Sequence, residues 1–133
     1  MKKIFITALV ALFTISAFSQ TKSEIELAQA IFGIEKMQLV AAYVNPGEEY
    51  RETFIDLYEE YEEKRMELGE VSIGLLKEYA EEWDGMTNEQ ADAWMKKILD
   101  SRAKRDKLIT TYYKKVKKST NAIIATQFYQ VEV

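Results

Sequence analysis

The chain has no cysteine and no histidine, and only one proline and five glycines in 133 residues. Without cysteine there are no disulfides, thiol nucleophiles or thiolate metal ligands. Without histidine, the usual neutral-pH general base and the commonest zinc and haem ligand are missing. Scarce proline and glycine mean few turns, which argues against a sandwich of many short strands. No glycine-rich phosphate loop, nucleophile–base pair or metal-ligand cluster is visible. The expectation is a protein that is not an enzyme and needs no cofactor or metal. What the chain does have is charge, 30% of residues, and aromatics, 12%, with tyrosine the commonest. That is the composition of a helical bundle.

The first twenty residues read MKKIFITALVALFTISAFSQ. Lys2 and Lys3 precede an uncharged, mostly apolar run from Ile4 to Phe18, and Ala17 and Ser19 are small residues before a cleavage at Ser19–Gln20. This predicts a secretory signal peptide over residues 1–19. A membrane anchor is the alternative, but the run is short for a span, and no cysteine is present to carry a lipid. The mature chain, without a membrane span, begins near Gln20. The expected compartment is the periplasm, with full secretion left open.

Three helices are predicted in a single elongated domain over residues 20–133: about 23–44, 48–83 and 88–131. NPG at 45–47 separates the first two. In the second, Tyr50, Phe54, Leu57, Tyr61, Lys64, Leu68, Val71 and Leu75 follow alternating spacings of four and three, a heptad seam. Gly69 and Gly74 fall inside it and suggest a bend. In the third, the seam includes Ala91, Trp94, Ile98, Leu108, Tyr112, Val116, Ile123 and Gln127. DSRAKRDK at 100–107 interrupts it with charge but contains no glycine or proline, so the stretch reads as one helix.

Between the long helices stands GMTNEQ, residues 85–90. Gly85 is suited to a left-handed helix end. Thr87 and Gln90 have the spacing of a capping box, and Met86 can staple onto Ala91. Glu89 and Asp92 place negative charge in the first turn, where the helix dipole favours it. The motif is thus a structural corner between antiparallel helices. Charge agrees. Residues 48–92 hold 16 acids and 4 bases, a net of −12, whereas 93–133 hold 10 bases and 3 acids, a net of +7. Folding at Gly85 lays acid beside base, with Glu59, Glu60, Glu63 and Glu67 roughly level with Lys104, Arg105, Lys107 and Lys114. EEYEEK at 59–64 reads as a solvated helix face rather than a cation site.

The predicted fold is therefore all-α: a long antiparallel helical hairpin with one shorter N-terminal helix packed on it, after a signal peptide. The short helix reaches only the near half of the hairpin. The distal half, about 71–100, carries Val71, Leu75, Tyr79, Trp83, Trp94 and Ile98, together with Ile73, Leu76, Met95 and Leu99. Two helices cannot bury all of these, and a large uncovered apolar patch implies a partner.

Two stretches carry a family resemblance. MTNEQ (86–90) resembles the LTxxQ motif of the Spy/CpxP superfamily of periplasmic stress proteins, with Met86 standing for the motif's leucine. ATQFYQVEV (125–133) is similar to the C-terminal segment of small exported proteins of that loose superfamily. A second LTxxQ copy is absent. The resemblance covers the chain from about residue 48. It implies an all-α, often dimeric periplasmic protein that acts as an ATP-independent chaperone or as a modulator of envelope-stress sensors.

Two readings of function follow. In the first, an amphipathic helical surface offers aromatics to unfolded clients, with Tyr58, Tyr61, Tyr79, Trp83, Trp94, Tyr112 and Tyr113 as candidates; each of these, read alone, is more simply a core residue. In the second, the chain is a structural or regulatory module that binds one specific envelope partner such as a sensor protein. Nucleic acid is not expected as a partner, although KKVKK (114–118) is basic. The mature chain is acidic, with 22 acids to 16 bases, and the acidic helix alongside accounts for the basic run.

Overall fold

The first corner is set by Asn45, Pro46 and Gly47. Asn45 has φ 40° and Gly47 φ 76°, a left-handed backbone that asparagine tolerates and glycine adopts freely. In the computed structural model, which describes residues 32–133, helix α1 (residues 32–44) stops here. The Asn45 N–H donates to the Ala41 carbonyl at 3.1 Å. The expected signal peptide, and residues 23–31 of the first expected helix, lie outside the described residues. The chain divides at Leu39/Val40 into two compact units. Of the first, residues 32–39 are described; they are helical, with Phe32, Ile34 and Leu39 exposed.

The second unit, Val40–Val133, holds the hairpin. Helix α2 spans Gly47–Glu82, a short 3-10 turn spans Trp83–Gly85, α3 spans Asn88–Ser119, and α4 spans Ala122–Glu132. The described residues are all-α, without a strand. α2 and α3 run antiparallel. Glu60 reaches Tyr112 and Lys115, Ser72 meets Ser101, Leu75 meets Trp94, and Glu78 meets Lys97.

The stretch expected as one helix over 88–131 is two. α3 stops at Ser119, and Thr120 takes φ −130°, ψ −106°. Asn121 then caps α4, its side chain accepting from the Ile124 N–H at 3.0 Å. The signal lay in residue chemistry rather than in glycine or proline. Lys117 and Lys118 stand in the last turn of α3, where the dipole favours cations, and Asn121 is among the best N-cap residues. α4 therefore turns back along the hairpin. Its Phe128 packs on Tyr58 and Tyr61, and its Tyr129 on Tyr113. Ile123, expected in the seam of one long helix, is exposed instead.

The hairpin seam also differs from the expected one by alternate positions. Phe54, Tyr61 and Leu75 are buried and Leu68 half-buried, but Tyr58 replaces Leu57, Arg65 replaces Lys64 and Ser72 replaces Val71. The spacing is still four and three. The outer partners are polar because each has a bond to make. Arg65 grips the Glu62 carboxylate with two donors at 2.7 and 2.9 Å. Ser72 donates to the Leu68 carbonyl and lies 3.1 Å from the Ser101 hydroxyl across the seam. A hydroxyl has one proton, so Ser101 donates to Ser72. α2 runs unbroken through Gly69 and Gly74, and a Cβ at either would meet open space.

The core lies at the end of the hairpin away from Gly85. Phe54, Tyr58 and Tyr61 of α2, Tyr112 and Val116 of α3, and Ile124, Ala125 and Phe128 of α4 are buried, with Val40 and Val44 from the last turns of α1. Its rings are tyrosines where a simpler core has phenylalanine, so each hydroxyl needs a partner. Glu132 accepts from Tyr58 at 3.1 Å and from Tyr61 at 2.8 Å. Glu60 accepts from Tyr112 at 2.6 Å and from Lys115 at 2.8 Å. EEYEEK is thus not simply a solvated face: Tyr61 and Glu62 are buried, and Glu60 spans to α3.

These bonds hold the phenols protonated. Burial, then the Glu132 charge, pushes the Tyr58 and Tyr61 hydroxyls well above the ordinary phenol range. Burial and the Glu60 carboxylate push Tyr112 the same way. The Lys115 ammonium, and then the Tyr112 hydroxyl, hold Glu60 below the usual carboxylate range. In an unfolded chain a tyrosine ionises near about pH 10. Folding stability from these three is complete below that pH and is lost as pH rises above it toward the higher folded values. In an alkaline titration, Tyr58, Tyr61 and Tyr112 should form phenolate only as helical circular dichroism disappears. Ionisation of these three at about pH 10, with helix intact, would contradict the core described. Separately, Asn121→Ala should lower unfolding free energy by about 1 kcal/mol in urea titration, and Asn121→Gly by only a few tenths.

Candidate partner-binding face

The corner at residues 85–90 orients the distal half of the hairpin. The Thr87 N–H donates to Gln90 Oε1 at 2.8 Å, and the Gln90 N–H donates to Thr87 Oγ1 at 3.2 Å. Both arms of the capping box are present. Met86 is half-buried and extended, with φ −70° and ψ 128°. Gly85 has no left-handed backbone, contrary to expectation. α2 ends through the 3-10 turn instead, and the extended Met86 redirects the chain.

The two flanks of the hairpin differ. One is closed by ion pairs from α2 to α3: Glu60 with Lys115 at 2.8 Å and Glu78 with Lys97 at 2.7 Å. Among the described residues, these pairs join α2 to α3, in place of the pairings expected from charge alone. Each pair is partly exposed and contributes about 0–1 kcal/mol. The other flank carries α4. At 3.6 residues per turn, Tyr58, Glu62 and Arg65 start a row that continues along α2 through Gly69, Ser72, Leu76, Ala80 and Trp83. On α3 the matching row runs back from Tyr113 and Ile109 through Arg105 and Arg102 to Ile98, Met95 and Ala91. α4 covers the near part of both rows, its end lying beside Arg102, Arg105 and Ile109. Past Arg65 and Arg102, toward the corner, neither row holds a charged residue.

This uncovered strip is apolar and open. Leu76 is 60% exposed, Trp83 59% and Leu99 58%. Ile73, Tyr79 and Met95 are also exposed. Of the six residues singled out from sequence, Tyr79 and Trp83 lie on this face. Leu75 is buried, and Trp94 and Ile98 are half-buried between the helices. Val71 is exposed but falls on the flank of the ion pairs. Trp94 is a structural residue. Its indole N–H donates to the Leu75 carbonyl at 2.9 Å, and its ring lies 4.7 Å from that of Tyr79. The contact pins α3 to α2 near the corner and supports the strip from beneath.

No family model matches this chain, and neither a curated protein nor a solved structure shows significant similarity to it. Among the described residues, no helix is long and apolar enough to cross a membrane.

The two tryptophans report the inside and outside of the hairpin separately. Trp94→Phe, which leaves Trp83, should give red-shifted emission readily quenched by acrylamide. Trp83→Phe, which leaves Trp94, should give bluer emission with several-fold weaker quenching. Equal quenching of the two variants would mean that the strip is covered.

Proposed function

We propose that this chain is an exported, ATP-independent chaperone-like or envelope-stress protein that holds unfolded clients on the open strip of its hairpin. The observation that carries the reading is the charge-free apolar strip continuing the rows that α4 covers. Aliphatic and aromatic groups at this exposure are costly to leave in water, about 25 cal/mol per Å² of apolar surface, and contiguous apolar patches mark interaction sites. Rigid helices present them, so binding does not require the surface to form. Export rests on the signal-peptide pattern of residues 1–19. The MTNEQ corner and the ATQFYQVEV segment support placing the chain with Spy/CpxP-like periplasmic proteins, which also suggests a homodimer. Its proposed role is binding rather than chemistry. The strongly shifted tyrosines, Tyr58 and Tyr61, are joined through Glu132 within the core.

The test is an aggregation assay without ATP. The purified chain from Gln20 is mixed, from substoichiometric to equimolar, with two unrelated denatured proteins. Both should be kept in solution, and Leu76→Ser combined with Met95→Ser should remove at least half of that effect while leaving helicity unchanged. If neither client is protected, the general-chaperone reading fails. The strip then serves one specific envelope partner, to be captured by crosslinking from residue 76 or 95.

A further inference from the structure

The strip has a polarity of its own. Residues 81–92 around the corner carry Glu81, Glu82, Asp84, Glu89 and Asp92, and no basic residue. At the inner end, where α4 stops, stand Arg102 and Arg105. Both are exposed. In the hollow where α4 ends, the carboxylates beside them are Asp106 and Glu132. Glu132 accepts from the tyrosine hydroxyls, so among the described residues the acid facing the two guanidiniums is Asp106. Between the acidic and basic ends lie about 14 residues of α2, from Gly69 to Trp83, or roughly 21 Å at 1.5 Å per residue.

We propose that this strip seats one amphipathic helix of a partner chain, about 14 residues long and oppositely charged at its two ends. Its basic end lies over the acidic corner and its acidic end beside Arg102 and Arg105. The inference rests on the client-binding reading and names the chemistry of the bound segment. α4 shows the mode of seating: on the same two rows it buries an uncharged face of Ile124, Ala125 and Phe128, and its one acidic residue, Glu132, lies at its inner end. The partner helix likewise has an uncharged contact face. Its end charges choose its register on the strip, because a shift by one turn moves both ends off their counter-charges.

A second copy of this chain is a poorer occupant. Stacking two copies face to face with their corners together sets α4 against α4 and holds the strips apart. Stacking them with corners opposed lays acidic α2 over acidic α2, which electrostatics disfavours.

Three peptides test the proposal. They share one 14-residue amphipathic core and differ only in their ends: lysines at one and glutamates at the other, lysines at both, or glutamates at both. Binding to the purified chain is read from Trp83 emission in the Trp94→Phe variant, and peptide helicity from circular dichroism. The mixed-ended peptide should bind at least fivefold more tightly than either of the others and gain helix on binding. Its advantage over the all-lysine peptide should vanish in the Arg102→Ala, Arg105→Ala double variant and shrink at high salt. Equal binding of all three peptides would overturn the charge rule yet leave the client-binding reading in place. So would an absence of peptide binding by a chain that still suppresses aggregation. If neither peptides nor unfolded proteins bind, both fail. A dimer in sedimentation that Leu76→Ser dissociates would assign the strip to a second copy and overturn the proposal.

Discussion

Glu132 accepts from Tyr58 and Tyr61 at once, and that double bond fixes where α4 lies. α4 is only 11 residues long, too short to be stable as an isolated helix. It therefore depends on tertiary contacts, and those are Phe128 against two tyrosine rings, Tyr129 against Tyr113, and the carboxylate that closes over both hydroxyls. A phenylalanine core would bury similar area without prescribing the height at which α4 stops. Buried hydroxyls require a partner, and the partner is near the end of α4, so the helix is held at one level along the hairpin. The boundary between covered and open apolar surface follows from that level.

The same constraint divides the charges. Glu60 is drawn to Tyr112 and Lys115 on one flank, Glu132 to the tyrosines on the other. The first flank becomes an ordinary charged surface with ion pairs across it. The second is dry under α4 and bare beyond it. Arg65, Arg102 and Arg105 mark the line between the two regimes, where the carbonyl end of α4 presents negative potential. An arginine can lay its stem on apolar surface and keep its head in water, so the line is crossed without burying an unpaired charge.

Much of this was legible from sequence. The corner at Thr87 and Gln90, the antiparallel pairing and the apolar excess of the distal half follow from capping chemistry, charge asymmetry and periodicity, all local or additive signals. What was not legible depended on tertiary partners. Tyr58 and Leu57 are equally good seam candidates until Glu132 is known to lie opposite Tyr58. Ser72 reads as polar and exposed until Ser101 meets it. The break at Asn121 lacked glycine and proline, and a run of lysines followed by Ser-Thr-Asn was the only clue. Once that break is missed, α4 is drawn as a continuation of α3, and the boundaries of the open strip cannot be placed. The six residues proposed for the surface were accordingly divided among seam, far flank and strip, because hydrophobicity alone does not say which side of a helix a neighbour occupies.

The two-residue link at Thr120–Asn121 has a dynamic consequence. α4 joins the rest of the fold through one capped turn and one short buried face that ends at the Glu132 carboxylate, whereas α2 and α3 meet along most of their length. Cooperative units of unequal stability follow from such an arrangement. The amides of α4 are therefore expected to exchange with solvent deuterium ahead of those in the middle of α2. Each opening of α4 bares the tyrosine end of the same two rows. For that interval apolar surface is open on both sides of Arg65, Arg102 and Arg105, so the surface this protein shows to water has two extents in equilibrium rather than one.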